Sequence, residues 1–559
     1  MLDEMNDALK NCKARLLAEL TERGCWEGRL SSSALATAVA SFALQQGGRI
    51  EAAERGREWI RNNRNADGGW GDSPESPSNF TTTLLCRCVL DEEVGDPSAV
   101  RAEILRFYGS DRTFSIPILT LCMLAGKLGD NWSIIPQLPF ELAVFPHRFY
   151  SSLRLPVVSY ALPALIAMGL ARHANRPQRA AFWRNGMKNR VMDILQRIQP
   201  ESGGFLEAAP LTGFVAMSLI GAGFRDHLVT QSCLRFLEET VREDGSWPID
   251  VNLSTWLTSL SVRALGGNLP EIQRDRVREY LLATQLKEEH PFTHAAPGGW
   301  AWTDRSGGVP DADDTAAALI ALYHLMPPDA ASRTVAAAQA GVEWLMDLQN
   351  RDGGIPTFCK GWGKLPFDRS CPDLTAHMIR AFTCWSGKLG DDFDAAMINS
   401  IQLGLDYLAR TQQSDGSWIP LWFGNQAHPK QHNPVYGTVR VVEALAELDE
   451  RKFPKAVRLC ARGVSWLENI SADTPLYGVE EIAMRVGITG NEVGHLLDLT
   501  RNGTSFSAGP IGLYFASLWY SERLYPLIFT TEALTRCLER RGTVPGQGFG
   551  QATNQWSVV

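Results

Sequence analysis

One short phrase recurs along the chain and limits what it can fold into more than any other feature. Its variants are RGCWEG at Trp26, NADGGWGD at Trp70, PESGGFLE at Phe205, REDGSWPI at Trp247, APGGWAW at Trp300, NRDGGIPT at Ile355 and QSDGSWIP at Trp418. Each joins Asp-Gly or Gly-Gly turn chemistry to a large apolar residue able to pack back on a neighbouring helix. Most copies stand roughly 40 to 65 residues apart, a period that fits one helix pair per unit.

The intervening sequence reads as helix. In SSSALATAVASFAL the residues Leu35, Ala38, Val39 and Phe42 fall on one helical face, and in YGTVRVVEALAEL Val441, Ala444, Leu445 and Leu448 do the same. No long alternating run competes as a strand. The expectation is an all-α protein of paired helices, with Gly-containing turns at one end, closing into double-layered (α/α) barrels around a central cavity. The phrase is absent between about 71 and 204, and a polar basic stretch occupies 171–190. A first barrel is therefore expected over 20–195 and a second over 196–559, with residues 1–19 packed on the second.

The composition, 559 residues with 45% apolar and 21% charged, is that of an ordinary folded chain. A net charge of -8 without a Lys/Arg stripe argues against a nucleic-acid partner. The opening MLDEMNDALKNCK carries charges and amides where a signal peptide places its apolar core, and eleven cysteines without a CxxC pair fit a reducing compartment. A cytoplasmic location is expected. The most apolar stretch, PVVSYALPALIAMGLA, is interrupted by Pro163 and falls short of the ~20 residues of a spanning helix. Insertion into one leaflet stays open, and so does a homodimer.

Chemistry concentrates in three places. GGVPDADDTAAAL sets Asp311, Asp313 and Asp314 at the start of a helix. There they can cap it, hold a metal, or keep one carboxyl protonated as an acid. An EF-hand is excluded, because the twelfth position from Asp311 is Leu322. FDRSCPDLTAH places Asp373 and His377 four apart on one face. With Cys371 they can form a zinc site, as in prenyltransferase subunits, or the Asp can orient the His. The third element is aromatic: Trp300, Trp302, Phe358, Trp418, Trp422, Phe506, Tyr514, Phe515, Trp519 and Tyr520. Ring faces stabilise a cation, at roughly 0.5 to 2 kcal/mol per contact, without attacking it. GKLGDDFDAAM lacks the third acid of a DDxxD magnesium motif, since positions 395 and 396 are Ala, and reads as a charged helix start.

Together these stretches resemble the squalene-hopene cyclase family of class II terpene cyclases. The resemblance rests on DADDTA as a DxDD motif, the preceding GGWAW, the QQSDGSW form of the repeat, the Asp-x-Thr-x-His segment in SCPDLTAH, and YGT after the last repeat. GCWEGRLSSSALATA and LPFELAVFPHRF extend it into the first domain. It implies two α-barrel domains around a large apolar cavity. It also implies Asp313 as proton donor, with Asp311 and Asp314 beside it and His377, aligned by Asp373, hydrogen-bonded to the donor. Trp300, Trp302, Phe358, Trp422, Phe506 and Tyr514 are the implied cation-stabilising set. On this reading crowding and burial keep Asp313 protonated, and a positively charged His377 stabilises the carboxylate left behind.

The reaction so implied is protonation-initiated cyclisation of squalene or a similar polyene, ended by deprotonation or water capture, without cofactor. A shorter prenyl diphosphate, with magnesium, is the alternative substrate. A zinc-dependent prenyltransferase-like subunit and a non-catalytic helical scaffold are the other readings. Thr212 and Pro156 stand where large aromatic residues are expected, and the connector between the domains is shorter than in hopene-forming members, where part of it attaches to the membrane.

Overall fold

The computed structural model describes residues 1–108, 112–177, 179–326, 332–470, 478–513 and 518–542. Among them are 22 α-helices and one small antiparallel sheet, in which Phe423–Asn425 pairs with Ile511–Leu513 and the latter with Leu518–Tyr520.

Six helices form a closed inner ring in the C-terminal part: Ser254–Leu265, Ala312–His324, Pro372–Trp385, Pro434–Ala446, Gly478–Thr489 and Tyr525–Arg540, each packed on the next and the last on the first. Helices Glu271–Thr284, Ser332–Leu348, Asp391–Thr411 and Pro454–Glu468 lie outside them, and Leu2–Ala18 packs on Tyr525–Arg540 to complete that layer. A second ring is made by Ala34–Gln46, Phe80–Leu90, Arg112–Leu124, Val157–Asn175 and Ala209–Gly221. Composition sorts the layers. Inner helices such as Ala312–His324 are apolar on nearly every face and buried accordingly. Outer helices such as Lys188–Ile198 bury one stripe, here Val191, Met192, Leu195 and Ile198.

The turn phrase works by the same hydrogen bonds in copy after copy. A Gln at the end of an outer helix donates to the carbonyl of the turn glycine and to a carbonyl of the next outer helix, as Gln349 does to Gly353 and Ser400 and Gln412 to Gly416 and Leu459. The backbone N–H of the following apolar residue donates to a threonine on an inner helix: Trp26 to Thr258, Trp70 to Thr83, Phe205 to Thr212, Trp247 to Thr37, Trp300 to Thr315, Ile355 to Thr375 and Trp418 to Thr438. Thr212, which stood where an aromatic residue was expected, therefore belongs to the repeat. Gly353 has φ 84°, and a Cβ there would stand 2.2 Å from the Leu403 carbonyl oxygen, so both the turn and the close approach require glycine.

Two apolar cores result. One runs from Ala34 to Trp247 and adds Phe292, Val309 and Cys359; the other joins Met5 to Leu30 with Ile249 to Leu538. Packing thus changes sides after Trp247, some fifty residues beyond the compositional break at 195. Pro163 does not interrupt its helix. Val157–Asn175 runs unbroken for 19 residues and is long and apolar enough to cross a membrane, but 72% of its apolar window is buried in the protein.

Candidate active site

The acid cluster begins as a helix cap. Asp311 is extended at φ -137° and ψ 170°, and its side chain accepts from the Asp314 N–H at 2.8 Å, opening helix Ala312–His324. Three backbone links then fix this helix start against its neighbours. Asp311 N–H donates to the Trp300 carbonyl, Ala312 N–H to that of Thr357, and Cys371 N–H to that of Ile355. Segment 355–357 therefore lies between the start of the acid helix and the start of Pro372–Trp385, which carries Asp373 and His377.

This arrangement separates three sequence-adjacent acids. Asp311 and Asp314 are 4% and 5% exposed, whereas the Asp313 side chain retains 17%. Burial pushes Asp311 up to about 7, with the Asp313 charge adding to the rise, and pushes Asp314 well above the carboxylate range. Crowding thus acts on the two flanking acids. Asp313 turns to the adjacent helix instead: its Oδ1 lies 2.5 Å from Nδ1 of His377.

His377 stands under opposing influences. Burial lowers its pKa, the Asp313 charge pulls it up, and Arg263 and Arg440 lower it further. Its Nε2 is buried without a hydrogen-bond partner among the described residues. Nδ1 thus faces the acid, in position to donate to it. Trp256 packs edge-on against that ring at 6.2 Å and donates its own N–H to the Tyr525 hydroxyl at 3.0 Å.

Asp373 accepts a hydrogen bond from the Cys371 thiol, and the Cys371 sulfur accepts one from the Leu421 N–H. Burial, then the Asp313 charge, raises Asp373 to about 7, and burial holds Cys371 as a thiol. The three residues weighed as zinc ligands are thus engaged separately, Cys371 with Asp373 and His377 with Asp313. Among the described residues no group of three or more His, Cys, Asp and Glu is placed to hold a metal.

The aromatic candidates divide. Phe358 and Trp422 meet at 5.8 Å, joined by Phe367 at 5.7 and 6.2 Å and by Tyr160, 5.3 Å from Phe358. The Trp422 indole N–H donates to Thr357, which ties this cluster to the acid segment. Trp302 packs against both cores, and its carbonyl accepts from Thr255 and Trp256. Trp300 is different: fully buried, with its indole donating to the Leu281 carbonyl at 2.7 Å, it is a structural residue of the repeat. Phe506 also lies apart, its ring 5.7 Å from the guanidinium of exposed Arg15. Tyr514 and Phe515 lie outside the described residues.

Sequence reading missed Trp256, Tyr160, Phe367 and Asp250. The last follows the DGSW turn, and burial drives it well above the carboxylate range while the Trp302 indole acts in the opposite sense. Its position after a repeat turn, where the turns carry chain toward an inner helix, is the signal that could have found it. A cavity of 520 Å³ opens to the surface near His147, His294 and Lys360 and reaches Pro156, Tyr160 and Phe358.

Two family models match the chain, the squalene-hopene cyclase N-terminal domain over residues 9–181 and the squalene-hopene cyclase C-terminal domain over 252–479. Enfumafungin synthase of Hormonema carpetanum is 26% identical over 541 residues, covering 80% of this chain and 40% of that one. A squalene hopane cyclase of Aspergillus fumigatus is 24% identical, covering 77% of this chain and 71% of that one. The chain thus spans less than half the length of the first relative. The solved ent-copalyl diphosphate synthase of Streptomyces platensis covers 95% of this chain and 99% of its own at TM-score 0.51 and 17% identity, which shows a shared fold.

Proposed function

Because the chain belongs to the squalene-hopene cyclase family of terpene cyclases, which act by protonation without a cofactor, we propose that it cyclises squalene or a squalene-like polyene, with Asp313 as the acid. The observation that carries this reading is the pairing of Asp313 with His377 at 2.5 Å while Asp311 and Asp314 are closed off. One carboxyl of the cluster thus keeps some exposure, with one oxygen already held.

In the initiating step the Asp313 O–H bond breaks and its proton bonds to a terminal alkene carbon, using the π electrons and leaving a tertiary cation. The next double bond attacks that cation, and each ring closure moves the charge along the chain. His377 keeps its Nδ1–H on Asp313 throughout, so the new carboxylate is met by a donor already in place. Phe358, Trp422, Phe367 and Trp302 offer ring faces to the moving charge. Loss of a proton, or addition of water, ends the sequence.

Association with a membrane surface is supported by an exposed apolar patch. Phe145 and Phe149 stack at 5.0 Å, Leu153 follows, and Trp362 donates its indole N–H to the Leu153 carbonyl. Exposed Arg148, Arg154 and Lys364 are their neighbours in sequence, and His147 and Lys360 line the mouth of the cavity. An apolar substrate would then pass from lipid toward Phe358 with little exposure to water.

The test is mass-spectrometric product analysis of purified protein with squalene in detergent, beside Asp313→Asn. A cyclic isomer or hydrate from the wild type alone, with turnover lost by at least about 10³-fold in the variant, is expected. Equal product from Asp313→Asn would refute the acid. Product only from a prenyl diphosphate, with magnesium, would move the substrate to that class.

A further inference from the structure

The Asp313–His377 pair belongs to a longer series of contacts. Tyr525 opens helix Tyr525–Arg540, Trp256 lies in the first turn of Ser254–Leu265, Asp313 in the first turn of Ala312–His324, and His377 in the second turn of Pro372–Trp385. The Trp256 indole N–H donates to the Tyr525 hydroxyl at 3.0 Å, and its ring stands edge-on to the His377 imidazole, with centroids 6.2 Å apart and planes at 75°. Four inner-helix starts are thus joined side chain to side chain, and Trp256 is the member that links the pair to Tyr525.

Both ends of that link are held in place. The Trp256 backbone N–H donates to the Trp302 carbonyl at 3.2 Å, and that of Thr255 to the same oxygen at 2.9 Å. Ser254, which opens the helix, donates to Asp304 at 3.0 Å and accepts from the Tyr280 hydroxyl of the outer helix at 2.9 Å. Fully buried Glu522 accepts the Leu524 N–H at 3.0 Å on its carboxyl and the Tyr525 N–H at 3.1 Å on its carbonyl, which fixes the start of the last helix.

His377 needs such support. The last torsion of a histidine side chain is broad and roughly two-fold, and Nε2 has no hydrogen-bond partner among the described residues. A half-turn of the ring would put Cδ2 where Nδ1 stands and break the contact with Asp313. An indole packed beside the imidazole and anchored at its own N–H restricts that turn.

We propose that Trp256, anchored by Tyr525, is a positioning residue that keeps Nδ1 of His377 on Asp313. The inference rests on Asp313 being the acid. Its effect on the reaction runs through His377: where the ring is free to turn, the acid loses its fixed partner in part of the molecules, which slows the initiating step and leaves substrate binding as it was.

The first test needs no turnover. In protein labelled with ¹⁵N-histidine, Nδ1 of His377, assigned by its loss in His377→Asn, takes one shift in the wild type and another in Asp313→Ala, where the contact is gone. Trp256→Leu is expected to move it at least halfway from the first value to the second, and a smaller displacement would overturn the proposal. Should Trp256→Leu fail to fold, Tyr525→Phe removes a single oxygen and leaves the indole present; a displacement toward the Asp313→Ala value is expected, and an unmoved resonance would overturn the proposal. If the wild type cyclises no polyene, the functional reading falls, and this measurement still decides the positioning role.

The second test separates kcat from KM. Per folded molecule, Trp256→Leu is expected to lower kcat by about 10- to 100-fold and to change KM by less than about threefold. A tryptophan that only fills space would leave kcat per folded molecule unchanged, and that result would refute the proposal. Trp256→Phe and Tyr525→Phe each remove the indole–hydroxyl bond from one side, so the double variant is expected to match the slower single variant within about twofold. Losses that multiply would refute the anchoring by Tyr525.

Discussion

Nδ1 of His377 stands 2.5 Å from Oδ1 of Asp313, a contact made across 64 residues of sequence. Asp313 lies in the first turn of one inner helix and His377 in the second turn of the next, and segment 355–357 hydrogen-bonds to both helix starts. One oxygen of the Asp313 carboxyl is thereby fixed.

Asp311 serves this geometry as a cap rather than as a donor. Asp311→Ala removes the acceptor for the Asp314 N–H and is expected to cost about 1 kcal/mol in urea unfolding, whereas Asp311→Asn, which keeps an acceptor, costs only a few tenths. Equal losses in the two variants would show that the cap is not what the residue supplies.

The buried acids make stability depend on pH in a defined direction. Burial raises Asp373 from 3.8 to about 7, so the folded protein holds a proton there that the unfolded chain releases. The stability contributed is complete below about pH 4 and is lost as pH rises toward 7. Asp373→Asn removes this titration, and its unfolding free energy is expected to fall less between pH 4.5 and 7 than that of the wild type. A steeper fall would contradict the assignment.

Phe358 touches Tyr160, Phe367 and Trp422 at once. Phe358→Leu keeps apolar volume but removes a ring face worth roughly 0.5 to 2 kcal/mol to a nearby cation. Product ratios measured by gas chromatography are expected to shift by about 2- to 30-fold, while Trp300→Phe, at a structural position, should lower thermal stability and leave the ratios unchanged.

Phe149 and Trp362 are exposed beside the mouth of the cavity. Replacing both by Asp puts charge where lipid contact is expected and should reduce cosedimentation with anionic vesicles by about tenfold or more, since each large side chain contributes about 1.5–3 kcal/mol on burial. Unchanged cosedimentation would remove this face as the docking surface.

What the sequence by itself determined is local. Helix periodicity, the Gly turns and the Asp311 cap depend on residues a few positions apart, and so does the placing of Asp373 and His377 on one helix. The type of chemistry was therefore legible, along with the paired-helix fold. Only the tertiary structure decided which member of each set does what. Trp300 and Trp302 are two residues apart, yet the first is locked to Leu281 inside the wall and the second faces both cores. Asp311, Asp313 and Asp314 have the same side chain, and exposure and the contact with His377 distinguish the middle one. The packing of Trp256 on His377 and of Arg15 on Phe506 was unseen for the same reason. Burial and the charge of a distant helix set what a side chain can do, and neither is a function of its neighbours in sequence.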